Sequence, residues 1–134
     1  KTGQGKPKYL SEVLRAVYES LAFKYRFIIE DMEKMLETRM DEIVIIGGGN
    51  QSRLLNQFTA NVSNRKVIIG ATEASVYGNG LVQMFYNKDI KSIKTGQNII
   101  MESLNQKPIE PMFCKSYDTV YHQFIEIIDK GRSI

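Results

Sequence analysis

An α/β fold, rich in helix and poor in strand, is the class that the sequence predicts, and three observations predict it. Two short β-branched runs, Ile43-Val44-Ile45-Ile46 and Val67-Ile68-Ile69, are each followed by a segment with helical apolar spacing. A long amphipathic segment precedes the first run. Between the first run and its helix stand three consecutive glycines, Gly47-Gly48-Gly49, the punctuation of a sharp turn off a strand.

Taken in order, residues 1 to 9 are polar, with two glycines and one proline, and read as a linker or loop. A helix is expected from about Ser11 to about Thr38, because Val13, Leu14, Val17, Tyr18, Leu21, Tyr25, Ile28, Ile29, Met32, Met35 and Leu36 recur at helical spacing. Ser11 is its expected cap, and Glu12 suits the positive end of the dipole. The stripe is broad and lacks strict heptads, so it reads as a core-packing face, not a coiled-coil seam. Glu42–Ile46 is expected as a strand buried on both faces, since it is apolar without alternation. A helix from about Gln51 to Asn61 follows, with Leu54, Leu55 and Phe58 inward; Lys66–Gly70 is the second strand. A third helix runs from about Glu73 to Tyr86, where Gly78 and Gly80 would each cost about 1 kcal/mol relative to alanine unless another backbone packs against them. Asp89 is expected to cap a short turn through Ile90 and Ile93, which Thr95-Gly96 breaks; Ile99 to Leu104 then suit a further helix, which Pro108 and Pro111 stop. A last helix is expected from about Tyr117 to Lys130. Two strands cannot form a self-sufficient sheet, so further strands are expected from sequence upstream. The start at Lys1 without methionine points the same way, to a piece of a longer protein.

The 134 residues are 43% hydrophobic and 25% charged, the composition of one globular domain and not of a disordered chain. One cysteine, Cys114, excludes an internal disulfide framework and suits a reducing cytoplasmic setting. With one histidine, His122, the chain cannot build a Cys/His zinc site. The longest aliphatic run, residues 43 to 46, is far short of the roughly 20 apolar residues of a membrane-spanning helix. A net charge of +3 comes from interspersed signs, which argues against a nucleic-acid face.

The feature that carries chemistry is the segment Gly47 to Ser52 between strand and helix. Glycine lets a ligand approach without a Cβ in the way, and a helix start presents unpaired N–H groups with a positive dipole end. Such an element suits a phosphate, or a nucleoside lying flat on bare backbone. It is not the dinucleotide fingerprint, whose third glycine would stand where Ser52 does, nor a P-loop, because Gly49 is followed by Asn-Gln-Ser-Arg.

Several spaced motifs then occur in one order: Gly47-Gly48-Gly49-x-Gln51, Leu54-Leu55-Asn56-Gln57, Ala60, Gly70-x-x-Glu73-Ala74-Ser75-x-x-Gly78-Asn79 and Gln83, with Thr2-Gly3-Gln4 and Glu19-Ser20-Leu21-Ala22-x-Lys24-Tyr25 ahead of them. Together they resemble the carboxy-terminal signature of the FGGY-type carbohydrate kinases, well over residues 2 to 85 and loosely beyond. The resemblance implies the carboxy-terminal part of an actin-like, ribonuclease-H-like ATPase domain. The intact enzyme would use ATP with Mg²⁺ to phosphorylate a sugar hydroxyl in a cleft between two domains. The implied acceptor is the 1-hydroxyl of L-rhamnulose, with other ketoses or polyols (xylulose, fuculose, glycerol type) as the alternative. A non-catalytic ATP-responsive module on the same fold is a further one.

By position in the resemblance, Gly48 and Gly49 would meet the nucleotide. Ser52 stands where relatives often carry an asparagine that reaches the base; a serine is shorter, so a water would bridge. No catalytic residue and no metal ligand is carried over, because the implied base is an aspartate upstream, in sequence that also holds the phosphate loop and most sugar contacts. The implied partners are the nucleotide, the sugar and an amino-terminal kinase domain in cis; without that domain the piece would expose apolar surface and self-associate.

The remaining polar residues read as structural. Glu73 is expected to favour the dipole of its helix, Asn79 to hydrogen-bond a neighbouring loop, Asn56 and Gln57 to serve packing, and Asp118 to cap the last helix. Asp31 and Glu33 are expected on a charged solvent face with Lys34. Cys114 has no pattern of an activated thiol, and His122 is expected partly exposed.

Overall fold

A computed structural model describes residues 5–112 and 115–132, the side chains of residues 131 and 132 excepted. Among the described residues α1 spans Leu10–Leu36, β1 Glu42–Ile45, α2 Arg53–Ser63, β2 Lys66–Ile69, α3 Ala74–Tyr86, α4 Ile93–Leu104 and α5 Ser116–Arg132, with a 3₁₀ turn at Gly48–Gln51. The strands pair in parallel, Glu42 opposite Lys66 through Ile45 opposite Ile69. This is the expected α/β arrangement, with the crossover helix that a parallel pair requires. The far edge of β2 carries one antiparallel bridge, in which Val67 and Ile109 exchange N–H···O bonds of 3.0 and 2.8 Å.

α1 starts one residue earlier than expected, and Tyr9, not Ser11, is its N-cap. Glu12 instead reaches back to the chain that leads in: its carboxylate accepts the N–H groups of Lys8 at 2.7 Å and Tyr9 at 3.4 Å. At the other end Glu37 takes a left-handed conformation, φ 51°, so the helix closes before Thr38.

The core joins α1, α2 and α5 through Ala22, Phe23, Val62 and Tyr121. Phe23 lies 6.0 Å from Tyr121 and 5.5 Å from Phe124, ring centre to ring centre. Arg26 stands beside this cluster, 4.1 Å over the Tyr121 ring, and donates to Glu30, to Asp118 and to the carbonyl of Val62. Asp118 therefore pairs with Arg26 across two helices, where a cap was expected. The Tyr121 hydroxyl donates to Glu30 at 2.7 Å. Burial first, and that carboxylate second, push the phenol above its ordinary pKa, so it stays a donor.

Asp31 and Lys34 form the expected surface pair, 3.1 Å apart. Glu33 does not join them. Its carboxylate accepts from Arg65 at 2.6 Å and from the N–H of Met40 at 2.7 Å. Arg65, with only 7% of its side chain exposed, also donates to the carbonyls of Met40 and Ser63. A buried guanidinium must find acceptors, and α1 passes close enough to β2 to supply one.

Two expectations about packing are overturned. β1 is not buried on both faces: Ile43 and Ile45 are half-buried, while Val44 is 57% and Ile46 58% exposed. Only β2 pairs with it among the described residues, and one face of β1 is left open, whereas every residue of β2 is at least half-buried. Gly78 and Gly80 have no close neighbour either, since a Cβ at either would meet nothing within 4 Å. The close approach is at Gly96, where a Cβ would strike Leu81 and come within 2.9 Å of Ile90. Gly96 thus stands inside α4 and lets that helix lie on α3; it does not break a turn. Ser92, not Asp89, caps α4, accepting the Thr95 N–H at 3.1 Å.

Glu33 titrates below its ordinary value of 4.5, first because of its hydrogen bond from Arg65. The stabilisation is therefore complete above that ordinary value and is lost as pH falls through the depressed one. Glu33→Gln should lower stability by about 2 kcal/mol at neutral pH. In urea titrations its acid-induced loss below about pH 5 should be shallower than that of the unmodified chain.

Candidate functional site at the glycine turn

The chain leaves β1 through Gly47, whose φ of 77° lies in the left-handed region that favours glycine. The 3₁₀ turn Gly48–Gln51 follows, and Ser52 joins it to α2. Gly47 donates its N–H to the carbonyl of Ala71 at 3.0 Å, and Gly70 donates to Ile45 at 2.8 Å. The exits of the two strands are thus tied together. Gly70 is needed for that approach: a Cβ there would lie 2.7 Å from Ile46 Cγ2.

A second set of bonds comes from side chains. Asn50, 8% exposed, donates its amide to the Gly70 carbonyl at 2.8 Å, and its Oδ1 accepts from the Thr72 hydroxyl at 3.1 Å. Its own carbonyl accepts from Asn56 Nδ2 at 2.8 Å. Asn50 therefore pins the glycine turn both to the turn after β2 and to the helix beneath. The sequence reading missed its role and that of Thr72. The available signal was an asparagine directly after the glycines, a residue that readily bonds to backbone. Asn56 is almost wholly buried, and its Oδ1 has no hydrogen-bond partner among the described residues.

Gly48 and Gly49 are exposed, and a Cβ at either would meet nothing within 4 Å. The backbone between Gly47 and Asn50 is held from below and bare above. Ser52 is half-buried and its hydroxyl accepts the Leu55 N–H at 3.4 Å, so it caps α2. Two hollows flank the turn. One, about 370 Å³, is walled by apolar side chains of α1, β1 and α2 and reaches Gly49. The other, about 720 Å³, is more polar and is bordered by Asn50, Gln51, Gly70 and Thr72.

Gly48, Gly49 and Ser52 therefore fall in one short segment, whereas the other weighed residues lie apart. Glu73 is the cap residue of α3 but makes no side-chain cap bond. Asn79 is exposed and makes no hydrogen bond to another described residue, contrary to expectation. Gln57 is structural as expected, donating to Asn61 at 2.9 Å and to the Glu110 carbonyl at 3.1 Å. His122 is exposed on α5. Cys114 and Thr2-Gly3-Gln4 lie outside the described residues.

The glycine turn, its capped helix and the turn after β2 all lie within residues 1–86, which match the FGGY family of carbohydrate kinases, C-terminal domain. The chain belongs to that family. Among curated proteins it is similar to the rhamnulokinase of Bacteroides thetaiotaomicron, 31% identical over 92% of this chain and 25% of that protein. It is likewise similar to the rhamnulokinases of Ligilactobacillus salivarius and Bacillus subtilis, each 33% identical over 98% of this chain and 27% of the relative. The chain spans about a quarter of the length of these relatives.

Asn50→Ala should leave the Gly70 carbonyl and the Thr72 hydroxyl without their partner and cost about 2 kcal/mol. Amide hydrogen exchange at Gly47 and Gly70 should then accelerate more than exchange in the α1–α5 core.

Proposed function

We propose that this chain is the adenosine-holding part of an ATP-dependent sugar kinase, and that the intact enzyme transfers the γ-phosphoryl group of ATP to the 1-hydroxyl of L-rhamnulose. The single observation that carries the nucleotide part is the bare, pinned main chain at Gly48 and Gly49. A flat purine nucleoside can rest on backbone that has no Cβ above it, and a rigid seat loses little entropy when the ligand arrives. Ser52, engaged as the cap of α2, would reach the base through a water. The sugar part rests on the rhamnulokinase relatives; a panel of ketoses and polyols tested on the intact enzyme separates L-rhamnulose from xylulose, fuculose or glycerol.

Phosphoryl transfer is mainly a matter of placing nucleophile, base and phosphates together. In this reading the chain contributes the seat for the nucleoside, and an amino-terminal domain in cis contributes the base and the sugar contacts. Mg²⁺ would arrive with the nucleotide phosphates. Among the described residues no group of three or more His, Cys, Asp or Glu stands together to hold a metal ion, so no step runs through one here. Exposed Met35, Val76 and Tyr86 support the presence of covering sequence in the intact protein; without it, the same side chains favour self-association. The reading is of a cytoplasmic enzyme, supported by the lone cysteine; no described helix is long and apolar enough to cross a membrane.

Gly48→Leu separates ligand contact from folding. Its side chain would enter open space, so stability should change by no more than about 0.5 kcal/mol. Affinity of the intact enzyme for ADP should fall by about tenfold or more; unchanged affinity overturns the seat. This chain by itself should release no ADP from ATP in the presence of L-rhamnulose in a coupled assay, and sugar-dependent turnover would show that the base is here after all.

A further inference from the structure

The hydrogen bonds that hold Asn50 differ in what they do. The bond from Nδ2 to the Gly70 carbonyl decides which way the amide faces, because a flipped amide would set Oδ1 against that carbonyl. The bond from Asn56 Nδ2 holds the Asn50 main chain. The third comes from the Thr72 hydroxyl, the only donor that Oδ1 has among the described residues. Asn50 is buried, so losing that donor costs more than it would in open water.

The Thr72 hydroxyl makes no other hydrogen bond to a described residue. Thr72 directly precedes Glu73, the cap residue of α3, yet no side chain caps that helix. Its first turn is closed by the Glu73 carbonyl, which accepts from Val76 and Tyr77. The hydroxyl is turned across to a residue 22 positions away in the chain. Main-chain bonds between the two strand exits stop at Gly47, whose N–H meets the Ala71 carbonyl. Gly48 and Gly49 are thus slung between two fixed points: Gly47, held by main chain, and Asn50, held by side chains. Glycine has more backbone freedom to lose than any other residue. Ordering this span before a ligand arrives therefore removes a cost from binding.

We propose that Thr72 is a positioning residue for the nucleoside seat: through Asn50 it fixes the downstream end of the Gly48–Gly49 span, and nucleotide affinity depends on a hydroxyl that does not touch the ligand. The role rests on the reading of Gly48 and Gly49 as that seat.

The test is isothermal titration of the intact protein with ADP, under conditions in which urea curves show every variant fully folded. It compares the unmodified protein with Thr72→Val, Thr72→Ser, Asn50→Ala, Thr72→Val/Asn50→Ala and Gly48→Leu. Valine keeps the shape of threonine without the hydroxyl, and serine keeps the hydroxyl. The net worth of one hydrogen bond bounds the effect, so Thr72→Val should weaken ADP binding by about three- to tenfold. Thr72→Ser should stay within about twofold of the unmodified protein. A lower urea midpoint in Thr72→Val with an unchanged dissociation constant marks a merely structural hydroxyl and overturns the role. So does an equal loss in Thr72→Ser, which traces the effect to the methyl group. On the Asn50→Ala background the further loss from Thr72→Val should vanish, because its partner is gone; a loss that persists there means that the hydroxyl meets the ligand itself and overturns positioning. The valine and serine variants decide the matter even if Asn50→Ala does not fold. If Gly48→Leu leaves ADP affinity unchanged, the seat falls and the role of Thr72 with it. If Gly48→Leu weakens ADP and Thr72→Val does not, the role of Thr72 alone falls.

Discussion

The side chain of Asn50 is the bond on which the geometry of this end of the sheet depends. Three turns meet there: the glycine turn after β1, the turn after β2 and the start of α2. Each would be a flexible loop alone. One amide donates to the Gly70 carbonyl, accepts from Thr72, and belongs to a residue whose own carbonyl accepts from Asn56. Because the bonds to the Gly70 carbonyl and from Asn56 are buried, losing either leaves a polar atom without water, and that penalty holds the arrangement together. The backbone at Gly48 and Gly49 is bare on its outer side, since a Cβ at either would meet nothing within 4 Å, and it is tied down from below by these bonds.

α1 carries the rest of the framework, and it does so through arginines as much as through its apolar stripe. Arg26 ties it to α5 and to the carbonyl of Val62, and Arg65 ties it to the segment that leads into β2. Burial works against the charge of Arg26, but the hydrogen bonds it donates to Glu30 and Asp118 outweigh it, and its pKa is raised. The stripe itself is only partly used. Ala22 and Phe23 are buried, whereas Leu14, Ile28 and Met32 remain largely exposed. An amphipathic helix with half its apolar face open, a strand edge without a partner among the described residues and an α3 whose glycines meet nothing share one physical character: apolar or unpaired surface left open to water.

Much of this was legible in the residues. Strand-to-helix order, the glycine turn and the helix periods follow from local chemistry: β-branched runs, helical apolar spacing, and glycine where φ turns positive. The motifs around Gly47 to Ser52 and Gly70 to Asn79 were enough to point to the family that residues 1–86 match. Other features were not legible, because they depend on which elements meet. Glu33 reads as a surface acid until Arg65 reaches it from 32 positions away. Asp118 reads as a cap until Arg26 lies opposite. Gly96 reads as a breaker until Leu81 and Ile90 lie over it.

The sequence by itself determined the class of fold, the order of its elements and the glycine turn, since those are set by backbone preference and by periodicity within a few residues. Only the tertiary structure decided how that turn is held, which acids meet a buried or half-buried arginine, and where α4 lies on α3. Those outcomes depend on distance between residues far apart in the chain, and on the cost of leaving a polar group buried without a partner; neither is a local property.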